Sequence, residues 1–118
     1  MSRVVSGPPQ LASALTVTQA TSKTTGVTLN APQGQITMNG AALAGGAEAP
    51  FAVTNDRVLA TDVVAVAMAG GAADASSYVA GVAAVADGSF QIYLGNVTAG
   101  SLSEAVVLNF IILRANSL

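Results

Sequence analysis

The sequence predicts an all-β protein, an antiparallel β-sandwich or jelly-roll-like barrel of about seven or eight short strands. Three observations carry that prediction. Apolar residues recur with a period of two in short runs, most plainly Val106, Leu108, Phe110 and Ile112, as expected of strands with one face inside. Turn signals separate the runs at Asn30 to Gly34, Asn39-Gly40, Gly45-Gly46, Asn55-Asp56 and Asp87-Gly88. No segment sustains a 3.6-residue apolar period long enough for a packed helix.

Taken in order, residues 1–14 read as an extended arm containing Arg3 and the step Ser6-Gly7-Pro8-Pro9; proline fixes φ and disfavours regular pairing. No compact apolar segment of a secretory signal occurs there. Residues 15–118 form the single domain. Leu15 and Val17 alternate with threonines in a first strand, and residues 27–29 supply a short second one after the polar stretch around Lys23. Ile36 and Met38 alternate ahead of Asn39-Gly40, the strongest local hairpin signal in the chain. Its return strand would be residues 41–44, four residues with three alanines, which are poor strand formers. Phe51 and Val53 alternate next. Residues 62–69 place Val64, Val66 and Met68 on one face and Val63, Ala65 and Ala67 on the other. Residues 76–86 turn through Asp87-Gly88 directly into residues 89–94, where Phe90, Ile92 and Leu94 face together, a second hairpin. Alanine-rich pieces argue mildly for helix, but interleaved Gly, Val and Thr outweigh them.

The last strand, within residues 104–114, is the most telling. Its second face carries Ala105, Val107, Asn109, Ile111 and Leu113, too apolar for open water. A strand apolar on both faces is covered on both, by its own fold or by a neighbouring chain. Composition points the same way. Charged residues make up 8% of the chain, against about 25% in an ordinary soluble domain, and mean hydropathy is +0.60. The apolar runs are too short to cross a bilayer as helices, which takes about 20 residues. The expectation is a protein crowded by neighbours, with no membrane partner.

Chemistry is constrained by what is missing. Cysteine, histidine and tryptophan are absent, which removes disulfides, thiolate metal sites and the commonest general base. Four Lys or Arg against six Asp or Glu give a net charge of -2, so phosphate neutralisation is poorly served and no nucleic-acid partner is expected. The acids Glu48, Asp56, Asp62, Asp74, Asp87 and Glu104 fall mostly at strand ends or turns, where carboxylates are solvated or cap their own backbone. A calcium site from Asp56 and Asp62 lacks the usual alternating acid spacing. Ser22-Lys23 reads as a solvated polar loop rather than a nucleophile and its base, because neighbours on extended backbone point apart. No catalytic residues, cofactors or metal ligands are assigned, and the chain is expected not to be an enzyme.

Three stretches, Val17-Thr-Gln-Ala-Thr-Ser-Lys-Thr-Thr-Gly-Val-Thr-Leu-Asn30, Gly34-Gln-Ile-Thr-Met38 and Gly88-Ser-Phe-Gln-Ile-Tyr-Leu-Gly-Asn-Val-Thr-Ala-Gly-Ser-Leu-Ser-Glu-Ala-Val-Val-Leu-Asn-Phe110, together resemble a small β domain of tailed-bacteriophage structural proteins. Those proteins are head decoration, head fibre or tail fibre components. The similarity spans residues 15–114, most specifically 18–29 and 99–110. The resemblance implies a trimeric virion component without enzymatic activity. Because the arm ahead of the domain is short, a capsid decoration (cement) protein on the head exterior is the expected role, partnered with itself and with the major capsid protein. A head-fibre or tail-fibre domain that attaches to a host surface is the alternative, and a small carbohydrate-binding adhesin is a further one. Capsid contact is expected at Arg3, Val4, Val5, Pro8, Pro9, Thr21, Lys23 and Thr24. The subunit interface is expected at Val63, Ala65, Tyr93, Val107, Asn109, Ile111 and Leu113, with Tyr93 as the exposed ring, suited to a chain contact or to sugar stacking.

Overall fold

A computed structural model describes residues 15–114. The arm at residues 1–14, with Arg3, Val4, Val5, Pro8 and Pro9, and residues 115–118 lie outside the described residues. Eight strands follow one another: β1 (Thr16–Thr18), β2 (Val27–Thr28), β3 (Gln33–Thr37), β4 (Glu48–Thr54), β5 (Val63–Gly70), β6 (Tyr78–Ala86), β7 (Ser89–Asn96) and β8 (Val107–Leu113). They form two four-stranded sheets, β1-β3-β8-β5 (sheet A) and β2-β4-β7-β6 (sheet B). The protein is a β-sandwich, as its alternating apolar pattern requires.

The sheets are mixed rather than wholly antiparallel. β1 runs parallel to β3, and β2 runs parallel to β4. Parallel neighbours need a crossover connection, and here each crossover is made by a strand of the opposite sheet. The chain leaves β1, crosses to sheet B as β2, returns to sheet A as β3 and crosses again as β4. The two short edge strands β1 and β2 are thereby tied into both layers. These two pairs correct the expectation of an antiparallel sandwich, because period-two alternation reports which face is buried and not strand direction.

The interior is lined as the alternation predicts. Ile36, Phe51, Val53, Phe90, Ile92, Leu94, Val106, Leu108 and Phe110 are all buried. Phe90 of sheet B meets Phe110 of sheet A edge to face, with ring centroids 5.4 Å apart and planes at 62°, the geometry favoured by the ring quadrupoles. Val64, Val66 and Met68 of β5 are only half-buried, because β5 is an edge of its sheet.

The two hairpin expectations part company. Asp87-Gly88 does join β6 to β7, with Ala86 opposite Ser89. Gly88 has φ 87° and Asp87 is not left-handed, so the turn is not the type I′ form that needs positive φ at both positions. One extra residue sits in β6 between Ala83 and Ala86, with Ala84 at φ 53°, a bulge that supplies local twist. Asn39-Gly40, by contrast, makes no hairpin. Neither residue has positive φ, and the Asn39 side chain instead accepts from the Ala41 nitrogen at 2.8 Å. Beyond it only Leu43 pairs, in an isolated bridge to Leu102. A short side-chain-to-backbone bond has outcompeted strand pairing that weak alanine propensity could not secure.

Replacing Phe110 with alanine removes the ring that joins the two sheets. The Phe110→Ala variant is expected to lose about 3–5 kcal/mol, read as a lower denaturant midpoint in a chemical melt.

Candidate functional site

The surface that stands out is the outer face of sheet A. In β8, Leu108 and Phe110 point inward and are buried, which obliges Val107, Asn109, Ile111 and Leu113 to point outward. In β5 the same parity turns Val63, Ala65 and Ala67 outward. Register then brings the two rows together, Val63 beside Leu113, Ala65 beside Ile111 and Ala67 beside Asn109. Val63 is 51% exposed, Leu113 50% and Ile111 39%. An apolar strip therefore runs along two paired strands, and its exposed side chains are left open to solvent among the described residues. The small side chains of Ala65 and Ala67 leave a shallow hollow of about 290 Å³ beside Ile111 and Asn109. Asn109 accepts a hydrogen bond from Gln35 Nε2 at 3.0 Å, so the strip is bordered by amide groups toward β3.

Six of the seven expected interface residues, Val63, Ala65, Val107, Asn109, Ile111 and Leu113, thus share one face. Tyr93 does not. It lies on β7 in the other sheet and is half-buried, lying over Gly81, its register partner on β6. A Cβ on Gly81 would fall 2.2 Å from the Tyr93 hydroxyl oxygen, so the ring fills the space a side chain would occupy. It covers its own sheet rather than standing free, and it cannot join the strip on the far side of the sandwich.

The expected contact loop is also reorganised. Thr21 and Thr24 are exposed, but Lys23 is 4% exposed, which corrects its reading as a solvated or shell-contacting cation. Its ammonium donates to the backbone oxygens of Asn39 and Glu104. Burial lowers the Lys23 pKa, and the charge of Glu104 works against that shift. The signal missed in the sequence is Gln19, a buried amide whose Nε2 donates to the carbonyls of Lys23 and Thr25 at 2.9 and 3.0 Å and whose Oε1 accepts from the Asn39 nitrogen at 2.9 Å. Gln19 fixes the loop and its lysine in place. Asn55 and Asn96 do similar work elsewhere, Asn96 donating to the carbonyls of Leu43 and Gly100. Buried carbonyls left without donors would each be costly, which is why three buried amides hold three loops.

Two carboxylates are likewise structural. Arg114 grips Asp62 through both oxygens, Nε to Oδ1 and Nη2 to Oδ2 each at 2.9 Å, and the Asp62 carboxylate also accepts from the Leu59 nitrogen. Glu104 accepts from the Tyr78 hydroxyl at 2.7 Å and the Ala73 nitrogen at 2.8 Å. These bonds hold both carboxyls below their ordinary range, Asp62 chiefly through Arg114 and Glu104 chiefly through the Ala73 amide. Burial, with help from the bond to Glu104, pushes the Tyr78 hydroxyl up to about 12. Asp56 pairs with Arg57 at 3.6 Å on the surface, while Asp62 is taken up by Arg114. Among the described residues no three acids gather to hold a metal ion. Ser22 bonds to Thr24 and Thr25 rather than to Lys23, so no nucleophile and base are brought together there.

Family models, curated proteins and solved structures were compared with this chain, and none matches.

The depressed carboxyls fix a pH dependence. In the folded state Asp62 and Glu104 hold fewer protons than in the unfolded chain as pH falls toward their ordinary range. Their contribution to stability is present above the unfolded pKa and is lost as pH drops through the folded one. Thermal melts across acid pH are expected to show a falling melting temperature in wild type. The fall should be shallower in the Asp62→Asn and Glu104→Gln variants, which already lack the ionised groups.

Proposed function

We propose that this chain is a non-enzymatic virion structural protein, a capsid decoration (cement) protein. It binds the outside of a bacteriophage head as a homotrimer and stabilises contacts between major capsid subunits. The observation that carries the reading is the apolar strip of Val63, Ala65, Ile111 and Leu113, exposed among the described residues of a chain with very few charges. Burying such a face contributes on the order of 25 cal/mol for each Å² of apolar surface before association costs. A closed cyclic oligomer covers the strip once per subunit and leaves no unpaired copy. The resemblance of residues 15–114 to phage structural domains supplies the setting.

Shell contact then falls to the arm at residues 1–14 and to the exposed Thr21 and Thr24, with Lys23 acting from inside to hold their loop. On the loop, hydroxyls and backbone would meet the capsid, and Arg3 of the arm would supply the one charge.

The purified chain is expected to sediment at three times its 11.6 kDa mass. Ile111→Lys, at an exposed position, should give a folded monomer with unchanged strand content by circular dichroism. A monomeric wild type would sink the trimer. A cryo-EM map of the particle decides the location: density on the head at junctions between capsid subunits supports decoration, and density confined to a tail or fibre replaces it with the fibre reading.

A further inference from the structure

Asn39-Gly40 is the one Asn-Gly step in the sequence, and the fold does not spend it on a hairpin. Its surroundings arrange three groups around a bond that asparagine can break. The Gly40 nitrogen donates to no group among the described residues, so its proton is not tied up in a hydrogen bond. The carbonyl oxygen of that same peptide, on Asn39, accepts from the Lys23 ammonium. The side-chain oxygen Oδ1 accepts from the Ala41 nitrogen at 2.8 Å. Gly40 is exposed and has no Cβ to obstruct approach, and the nearest atom to where one would sit is the Ala105 nitrogen at 4.0 Å.

We propose that Asn39 and Gly40 form a self-modification site, at which the folded chain converts Asn39 to an aspartyl or isoaspartyl residue through a cyclic imide. Lys23 and the Ala41 amide are the activating groups. The Gly40 nitrogen attacks Cγ of Asn39 and gives up its proton. The new N–Cγ bond forms, the Cγ–Nδ2 bond breaks, and Nδ2 departs as ammonia carrying that proton. Water, the co-reactant, then opens the imide. Opening at Cγ restores the backbone with an aspartyl side chain, and opening at the backbone carbonyl leaves an isoaspartyl link. Nothing is oxidised or reduced.

Each neighbour acts on charge that develops in this sequence. Negative charge on an amide that loses its proton resides largely on the carbonyl oxygen, where the Lys23 ammonium sits. The attacked carboxamide collects charge on Oδ1, where the Ala41 N–H already points. Donors fixed in advance at such positions stabilise a transition state without reorganising. The product also matters to the fold. Asn39 Nδ2 now donates to the Ala20 carbonyl at 3.3 Å, and an acid in its place would face that carbonyl without a proton to offer. The tie between this turn and the loop carrying Thr21 and Thr24 would loosen as the protein ages.

The test is peptide mapping by mass spectrometry of the full chain after timed incubation at neutral pH, folded in buffer and unfolded in urea. The readouts are the mass gain of amide-to-acid conversion and the isoaspartyl content of the peptide spanning residues 34–44. Conversion at Asn39 is expected to run about a hundredfold faster in the folded chain, the smaller end of what a fixed donor contributes. Lys23→Met should bring the folded rate back toward the unfolded one. Folded conversion equal to or slower than unfolded overturns the proposal, and so does an unchanged rate in a folded Lys23→Met chain. Should that variant fail to fold by circular dichroism, the comparison of folded with unfolded wild type decides alone.

Discussion

The period of two in a β-strand couples the inside of this sandwich to its outside, and β8 is where the coupling has most effect. Because β8 lies between β3 and β5, its inward residues Leu108 and Phe110 reach the centre of the core and are buried. The same backbone then commits Ile111 and Leu113 to the surface. Shifting β8 by one residue would exchange the two sets. Both rows are largely apolar and differ mainly at Asn109, which the shifted register would carry from its bond with Gln35 into the core. Turn chemistry, the paired neighbours and the Phe90–Phe110 contact choose between them. The apolar strip is therefore a direct product of the strand's sequence, not of some local irregularity.

A second constraint governs the loops. A thin sandwich with short strands has many connections, and several of their carbonyls are buried. The chain answers with side-chain amides at Gln19, Asn55 and Asn96 and with one ammonium at Lys23. Charge is used sparingly and always with geometry. Asp62 is held by both arms of Arg114, and Glu104 spans the Tyr78 hydroxyl and a backbone amide. Few charged residues thus suffice to fix the connections, while the strands rely on apolar packing.

Much of this was legible in the residues. The strands beginning near Leu15, Val27, Phe51, Val63, Tyr78 and Ser89, the faces of β5, β7 and β8, and the Asp87-Gly88 hairpin all follow from alternation and turn chemistry. The parallel β1–β3 and β2–β4 pairs did not, since alternation looks the same in either direction. Asn39-Gly40 misled because its signal is statistical and its flank of alanines gave no strand to pair. Lys23 misled because a lysine between serine and threonine carries no mark of burial. Only the meeting of the Asn39 and Glu104 carbonyls, far apart in the chain, makes a site for its ammonium. Tyr93 was placed correctly as facing away from the core, but the glycine beneath it, across the strand, could be known only from register.

That glycine has a larger consequence. With the phenol of Tyr93 lying over Gly81, part of the outside of sheet B is covered by aromatic carbon. Glu48, Gln91 and Ser89 share that face of β4 and β7. The two broad sides of the molecule are therefore unlike among the described residues: sheet A presents a row of exposed apolar side chains, Val63, Ile111 and Leu113, whereas sheet B sets a phenol over a glycine beside the exposed Val79. Any assembly built through the sheet A strip inherits a direction from this difference, since burying the strip turns the Tyr93 side of that subunit the opposite way.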